Sequence, residues 1–314
     1  MSTRKSPPFP DTLALMTSLL NRRQLLQVAA VAAASREPAP SAPQKPMRLG
    51  VITGISADPE PAIKRVHDLG FPTCQLVIET FHDSTVAKLR DALAKYAIEV
   101  SSAVAVGPSP EVYDFYQGPQ TIGLVPSKYR EARIARMKQV SDFAKKAGIT
   151  GMQSHCGFLP ENPNEPLYAE AVKAIRTVAE YCKQNGQTFR CETGQETPIT
   201  LVRAIKDVGL DNVGVNFDAA NLVLYGKANP VDAVELLGPY IMGVHAKDGL
   251  YPTNPKQLGR EVAIGKGKVN FPVLIGLLKK VGYQNPITIE REIEGTKQTE
   301  DILAAKGYLE KLIG

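Results

Sequence analysis

From Met47 onward, the sequence alternates eight times between a short run rich in β-branched and apolar residues and a longer amphipathic run. This alternation is typical of repeated strand–helix units whose strands lie parallel in one sheet. Eight such units favour a single closed (β/α)8 TIM barrel, an α/β fold, over an open doubly wound sheet. The predicted strands are Arg48 to Gly54, Thr73 to Glu79, Glu99 to Val106, Gly151 to Gly157, Thr188 to Gly194, Val213 to Asp218, Ile241 to Asp248 and Pro286 to Glu292.

Helical segments are predicted after most of these strands. Several begin after Asp, Ser, Thr or Asn, or with Pro in the first turn, and several end on glycine. No G-x-G-x-x-G follows the first strand, so the sequence does not support a dinucleotide-binding cofactor site. The clearest helices are Pro59 to Leu69, Ser84 to Tyr96, Ser127 to Ala147, Glu165 to Asn185, Pro198 to Val208, Pro230 to Leu237, Phe271 to Val281 and Thr296 to Leu312.

Residues 1–46 differ in composition from the rest of the chain. The pair Arg22 and Arg23 precedes a short Ala-rich apolar run that ends at Ala34, and a Pro-rich linker continues to Pro46. This order resembles a twin-arginine export signal, which predicts a periplasmic or secreted protein whose barrel occupies residues 47–314. The apolar run is too short for stable membrane insertion. The alternative is a leader without an export role on a cytoplasmic protein.

The charge and the cysteines of the chain narrow the range of partners. The net charge of +5 is spread over 314 residues without a dense Lys/Arg block, which gives little support for nucleic-acid binding. The cysteines show no C-x-x-C spacing and are predicted to be reduced, mostly buried thiols. They are Cys74, Cys156, Cys182 and Cys191.

Residues of metal-ligand type stand at the predicted carboxyl ends of the last four of the eight strands. They are Glu192, Asp218, His245 and Glu290. Because the strands of a parallel barrel end on the same face, these side chains are expected to meet. Three crowded carboxylates repel one another, whereas one divalent cation and a neutral imidazole turn that repulsion into coordination. Oxygen-rich ligation favours Mn²⁺, with Mg²⁺, Co²⁺ or Zn²⁺ as alternatives. Each residue taken alone also fits a helix cap, a salt bridge or a core histidine.

Two further motifs join this quartet in a family resemblance. The run VHAKD at 244–248 and the turn GKGKVNF at 265–271, together with the quartet, resemble the xylose-isomerase-like TIM barrels, which include sugar isomerases, epimerases and related lyases. The resemblance implies one divalent metal that holds two adjacent oxygens of a small-molecule sugar. It also implies that Glu192 and Glu290 act as acid and base on opposite sides of the sugar, through an enediolate. The GKGK segment lacks phosphate-loop spacing and predicts a tight turn.

Two positions depart from the family epimerases that act on free ketoses. These enzymes commonly carry His where this chain has Asn221, and an Arg a few residues past the His ligand, where this chain offers Lys247. Asn221, Lys247 and His155 are therefore predicted to contact the substrate. Lys247 could instead pair with Asp248 or Glu292, His155 could be structural, and Glu292 is the rival of Glu290 as a ligand.

Other functions remain open at this stage. A metal-dependent lyase or dehydratase acting on an oxidised sugar or glycoside would use the same residues. An abasic-site endonuclease of the same superfamily needs several more His ligands, and this chain has only His67, His82, His155 and His245. A binding module without a tightly held metal is the last alternative. The aromatic segment 107–130 is predicted to be a lid over the sugar or a contact within a homo-oligomer.

Overall fold

Eight parallel strands close into a barrel in the computed structural model of the protein, which describes residues 47–314. The predicted TIM barrel is therefore confirmed, while the export-signal prediction lies outside the described residues. The strands run round the barrel in chain order, from β1 through β7 to β10 and back to β1. They are β1 (Leu49–Ile55), β2 (Thr73–Ile78), β3 (Glu99–Val104), β4 (Gly151–His155), β5 (Thr188–Glu192), β6 (Val213–Asp218), β7 (Ile241–Ala246) and β10 (Ile287–Ile289).

Helices connect the strands and cover the outside of the barrel. Eight were predicted, and two short ones, α3 and α7, were not. The helices are α1 (Glu60–Asp68), α2 (Asp83–Tyr96), α3 (Gly118–Thr121), α4 (Ser127–Ala147), α5 (Pro166–Gln184), α6 (Pro198–Val208), α7 (Ala219–Leu224), α8 (Pro230–Leu237), α9 (Phe271–Lys280) and α10 (Thr296–Ile313).

Helix α6 shows why these segments fold as they do. It begins with Pro198, whose fixed φ suits a first helical turn, and it ends where Gly209 adopts a left-handed conformation with φ +67°. Its buried residues include Leu201, Ile205 and Val208, which recur every three or four positions and so lie on one face. That apolar face packs towards the barrel.

The interior of the barrel is polar over much of its length. Gln75, Ser102, Gln153 and Asn216 all have side chains that are at most 1% exposed. They come from β2, β3, β4 and β6, and two of them, Ser102 and Gln153, hydrogen-bond each other at 2.7 Å. Because buried amides and hydroxyls need partners, this interior favours a polar site above it rather than an apolar core.

The end of the barrel sequence differs from the prediction. The last strand stops at Ile289 rather than Glu292, and an antiparallel pair of short strands, β8 (Asp248–Leu250) and β9 (Arg260–Val262), was not predicted. The backbone N–H of Glu292 points to the Glu261 carboxylate on β9, 3.2 Å from Oε2, instead of joining the sheet. Glu290 therefore follows the strand, although its N–H still donates to the carbonyl of Ala246 at 3.0 Å.

All four cysteines are free and buried, as predicted. Within residues 47–314, the helices are too short or too polar to cross a lipid bilayer.

Candidate metal centre and active site

The four predicted ligand residues meet at the carboxyl ends of neighbouring strands. Glu192 and Asp218 end β5 and β6, His245 is the penultimate residue of β7, and Glu290 follows β10 directly. These strands are consecutive in the barrel, and Asp218 lies opposite His245 in the register of β6 and β7. We call these four residues the acidic cluster. Each offers one ligand atom, and all four atoms lie within 4.8 Å of one another.

The imidazole of His245 lies at the centre of the acidic cluster. Its Nδ1 is 3.2 Å from Oε1 of Glu192, 3.2 Å from Oε2 of Glu290 and 3.6 Å from Oδ2 of Asp218. Neither His245 Nδ1 nor Asp218 Oδ2 has a hydrogen-bond partner within the described part of the chain, and both are buried. Buried polar atoms left unpaired in this way are costly unless a proton or a cation joins them. The cluster could therefore hold a metal ion.

Two glutamines that sequence reasoning missed lie next to the other nitrogen of the imidazole, and one of them, Gln75, holds it. His245 Nε2 lies 2.6 Å from Oε1 of Gln75 and 3.1 Å from Nε2 of Gln153. Oε1 of Gln75 can only accept, so Nε2 carries a hydrogen that it donates to Gln75, and Nδ1 faces the carboxylates. The Gln153 amide donates to Oε2 of Glu192 at 3.4 Å. Such partners behind a ligating histidine fix its tautomer and ring orientation. Strand alternation could have found Gln153, because it stands two residues before His155 on the inward face of β4.

The two carboxylate oxygens of Asp218 have different roles: one caps a helix and the other faces the acidic cluster. Oδ1 accepts from the backbone N–H of Asn221 at 2.8 Å and so caps α7, which leaves Oδ2 facing the cluster. Thr193 anchors the backbone of Asp218, because its hydroxyl donates to the carbonyl at 2.8 Å and accepts from the N–H at 2.9 Å. The carboxylate at the end of a buried strand is thus fixed in place.

The charges within the acidic cluster shift one another's pKa values. Burial raises the pKa of Asp218 to about 6. Burial also opposes the ionisation of Glu192, but the attraction of His245 and His155 outweighs it and lowers the pKa of Glu192. Burial lowers the pKa of His245, yet Glu192 and Glu290 overcome that effect and hold it well above the ordinary value. The carboxylates thus attract positive charge to Nδ1, which a divalent cation would supply equally well.

Lys247 follows β7 and reaches over the cluster from one side. Its side chain is only 2% exposed, and Nζ lies 3.3 Å from Oε2 of Glu290, 2.9 Å from Oε2 of Glu292 and 3.8 Å from Oδ2 of Asp218. Burial opposes its charge, but these carboxylates hold the pKa of Lys247 well above its usual range. The Glu292 side chain is 59% exposed and pairs with Lys247 outside the cluster, whereas Glu290 is one of the four residues that could hold a metal ion.

Asn221 and His155 border the cluster on the Glu192 side. The Asn221 amide donates to Oε1 of Glu192 at 3.5 Å and accepts from Lys247 at 3.3 Å. His155 Nε2 lies 3.7 Å from the same Glu192 oxygen. All three residues predicted to contact the substrate therefore surround the two glutamates, and the structure brings the whole predicted site together.

The segment 107–130 lies over this face of the barrel. The ring of Tyr113 meets His155 edge-on at 5.6 Å, and the ring of Phe115 meets Tyr225 edge-on at 6.3 Å. The buried guanidinium of Arg133 fixes the segment from below, because it donates to the carbonyls of Gly123, at 2.6 Å, and Thr121. A cavity of about 510 Å³, lined by Tyr113 and by the ends of β2 and β3, opens beside it.

The two sequence motifs of the second half are one structural unit. Asp248 of the VHAKD run is 1% exposed, and its carboxylate accepts backbone N–H bonds from Gly249, Gly265, Gly267 and Val269. A Cβ at Gly267 would lie 2.0 Å from Oδ1 of Asp248. Asp248 therefore holds the glycine turn at 265–271 next to Lys247 through these hydrogen bonds. The two motifs depend on each other structurally, which explains why both occur in one chain.

This fold and this cluster define a (β/α)8 barrel with a group of side chains that could hold a metal ion. The sequence profile of the Xylose isomerase-like TIM barrel family matches residues 63–312, and the chain belongs to this family.

The chain is similar to several other known proteins. A Xylose isomerase domain protein from Planctomyces limnophilus is 34% identical, with a TM-score of 0.80 over 85% of this chain and 97% of that chain. A D-psicose 3-epimerase, solved in the presence of D-fructose, has the same fold at 19% identity, with a TM-score of 0.63 over 85% of this chain and 100% of that chain. Uncharacterized protein MJ1311 of Methanocaldococcus jannaschii is 35% identical over 131 residues, which are 40% of this chain and 41% of that relative.

Proposed function

We propose that the protein is a divalent-metal-dependent sugar isomerase or epimerase. The observation that carries this proposal is the placement of Glu192, at the end of β5, and Glu290, directly after β10, each 3.2 Å from Nδ1 of His245. Two carboxylates that flank one centre can remove a proton from one side of a substrate and return it from the other. The D-psicose 3-epimerase that shares the fold at 19% identity is consistent with this chemistry.

The metal would be held by Glu192, Asp218, His245 and Glu290, with Mn²⁺ as the proposed ion. When bound, a divalent ion polarises the oxygens of a sugar and stabilises the negative charge of an enediolate. The residues fit such an ion because two of the ligand atoms, on Asp218 and His245, are otherwise unpartnered. Gln75 keeps the imidazole oriented, and Thr193 keeps Asp218 in place.

The chain's own residues would then move the protons. One of Glu192 and Glu290 takes the C–H proton next to the sugar carbonyl, and the other delivers a proton to the opposite face or to the neighbouring carbon. Lys247 keeps Glu290 ionised, because its ammonium lowers the pKa of that carboxyl even though burial opposes ionisation. Delivery to the opposite face gives epimerisation, and delivery to the neighbouring carbon gives isomerisation.

The substrate would be bound between the cluster and segment 107–130. His155, Asn221 and Lys247 are the proposed substrate contacts, because each lies within 4 Å of a glutamate of the cluster. Tyr113 would exclude water above them. The 510 Å³ cavity beside Tyr113 falls in the range of about 300–1,000 Å³ that is typical of small-molecule sites, so it can take parts of the substrate beyond the reacting carbons.

A lyase acting on an oxidised sugar or glycoside is the second candidate, and Lys247 favours it. Its buried ammonium lies 3.3 Å from Oε2 of Glu290, so a donor stands beside the group that would take the proton. Protonation of a departing oxygen by this ammonium would turn the same proton abstraction into an elimination. The room beside Tyr113 would take the leaving group.

One experiment separates these two reactions. The purified protein is incubated in D₂O with Mn²⁺ and a panel of ketoses and 3-keto-glycosides, and the products are followed by NMR and mass spectrometry. Deuterium at carbon without loss of water or aglycone supports the isomerase or epimerase, whereas elimination products support the lyase. Absence of exchange and of elimination, together with absence of metal in elemental analysis, would contradict both.

We also propose that the protein is exported through its amino-terminal twin-arginine segment. The order of paired arginines, short apolar run and Pro-rich linker in residues 22–46 supports this proposal. Replacement of Arg22 and Arg23 by lysine should keep the protein in the cytoplasmic fraction of the cell, while the unaltered chain appears in the periplasm. A cytoplasmic location of both chains would exclude export by this route.

A further inference from the structure

Arg190 lies in the barrel at the end opposite the acidic cluster. It stands two residues before Glu192 on β5, so both side chains point into the barrel from the same face of the strand. The residue is only 9% exposed. Because a charge removed from water is expensive unless it is paired, a buried guanidinium is expected to have an anionic partner.

The surroundings of Arg190 do not supply that partner. Its Nε donates to Oγ1 of Thr188 at 3.3 Å, and this is the only hydrogen bond of its side chain within residues 47–314. No carboxylate of the described chain forms an ion pair with it, and Asp211, the acidic residue that lines the same cavity, pairs with Lys183 instead. Asn216 is fully buried on the adjacent strand, and neither the oxygen nor the nitrogen of its amide has a partner in the same part of the chain.

Two glycines make room for the guanidinium between the strands. A Cβ at Gly151 would lie 2.7 Å from Nη2 of Arg190, and a Cβ at Gly243 would lie 3.2 Å from Nη1. The same Cβ at Gly243 would lie 2.4 Å from Oδ1 of Asn216, so guanidinium and amide are neighbours. Strands β4 and β7 thus each have a glycine, without a side chain, beside Arg190. The space between these two glycines holds the two terminal nitrogens of the guanidinium, and we call it the cradle.

A cavity opens onto this cradle from the amino-terminal ends of the strands. It has a volume of about 590 Å³, and Thr150, Thr188, Asn212 and Asn285 give it a polar lining. Two other charged residues line it, Lys183 and Asp211, and they neutralise each other across 2.6 Å. Arg190 is therefore the one uncompensated charge among the lining residues.

We propose that this amino-terminal cavity binds a small tetrahedral oxyanion of the phosphate or sulfate type, with Arg190 as its charged donor. The planar guanidinium presents two parallel N–H groups that match two oxygens of such an ion. The ion supplies the negative charge that no residue of the described chain offers to Arg190. The site lies at the end of the barrel where the strands begin, so it is separate from the proposed chemistry at the acidic cluster. Binding of the ion there should stabilise the folded protein.

Thermal unfolding of the full chain tests this proposal. Sodium phosphate is titrated against sodium chloride at constant ionic strength, and the melting temperature Tm is recorded. Phosphate should raise Tm in a saturable manner, by roughly 5–10 °C when its concentration reaches about 100 times Kd. In the Arg190→Met variant the saturable rise should vanish, and Tm in chloride should equal or exceed that of the parent, because an unpaired buried charge is gone.

The controls separate this site from other effects of phosphate. General exclusion of phosphate from protein surfaces, or phosphate at a metal ion, would stabilise the parent and Arg190→Met equally, and that result overturns the proposal. Arg176→Met, which removes an exposed arginine on α5, should respond like the parent. The Arg190→Lys variant keeps the charge without the fork and should weaken phosphate binding about tenfold. Crystals grown in selenate should show anomalous density beside Arg190; density elsewhere only would overturn the proposal even if the Met variant did not fold.

Discussion

The two ends of the barrel interior carry opposite charges, and strand β5 contributes to both. At the carboxyl ends, Glu192, Asp218 and Glu290 surround a single imidazole, and negative charge is in excess. At the amino-terminal end, Arg190 has no carboxylate partner in the described chain, and positive charge is in excess. Only one residue, Cys191, separates Glu192 from Arg190 along β5.

This difference shows what a polar barrel interior can be used for. Each end leaves polar atoms without partners: Asp218 Oδ2 and His245 Nδ1 at one end, and the Asn216 amide beside Arg190 at the other. Unpaired buried groups lower stability, so they are expected where a ligand completes them. The excess charge indicates which ligand fits each end: a cation at the carboxyl ends of the strands and an anion at their amino-terminal ends. If the two ends are independent, changes at one should leave the other unaffected.

The largest expected effect is on catalysis at the acidic end. Glu290→Gln removes one of the two proposed acid/base groups and should lower kcat/KM for deuterium exchange by about 10³-fold. Arg190→Met should stay within about threefold of the parent, because its guanidinium faces the amino-terminal cavity and contacts no residue of the acidic cluster. Steady-state kinetics by NMR measure both, with the exposed Glu300→Gln on α10 as a matched control. Equal losses of kcat/KM in Glu290→Gln and Arg190→Met would show that the two ends of the barrel are not independent.

Metal affinity should respond next, through the residues behind His245. Gln75→Leu removes the acceptor that lies 2.6 Å from Nε2, so the imidazole loses its fixed orientation. The dissociation constant for Mn²⁺ should rise about 10–100-fold, as is usual when such a partner is lost. Titration calorimetry measures it, and Gln184→Leu on the surface of α5 serves as control. An unchanged affinity in Gln75→Leu would show that His245 is not a ligand.

A smaller effect is expected on stability from a carboxylate outside the cluster. Asp248→Asn replaces an oxygen by an NH₂ group where four backbone N–H donors converge, so two of them face a donor. The free energy of unfolding should fall by about 2 kcal/mol, or Tm by roughly 4–8 °C. Differential scanning calorimetry measures this loss against the exposed Asp58→Asn. A stable Asp248→Asn would mean that the glycine turn does not depend on this carboxylate.

The smallest effect concerns the pH dependence of stability. Glu196 is 1% exposed, its Oε2 has no partner in residues 47–314, and burial raises its pKa to about 8 from 4.5. Between these values the folded chain keeps a proton that the unfolded chain has lost, so stability falls as pH rises. Glu196→Gln should flatten this fall, so that its Tm exceeds that of the parent by a growing margin as pH rises to 9. Parallel curves for both chains across this window would show that Glu196 is not protonated.

Much of the site could be predicted from the sequence because it depends on patterns within short segments of the chain. The strand and helix periods, and the position of each ligand at or next to a strand end, are properties of short segments. They placed Glu192, Asp218 and His245 correctly, since a parallel barrel brings all carboxyl ends together. The choice of Glu290 over Glu292 came from the motif, and its structural reason is non-local: β9 and Lys247 hold Glu292 outside the barrel.

The sequence by itself determined that eight strand–helix units occur and which four residues stand at or next to the carboxyl ends of the last four strands. Only the tertiary structure decided what stands behind and below those residues, because such neighbours come from distant strands. Gln75 meets His245 across 170 positions of sequence, and Arg190 lies between glycines of two other strands. A segment's pattern shows which way a side chain points, but barrel closure and strand register set which charges meet and which stay unpaired.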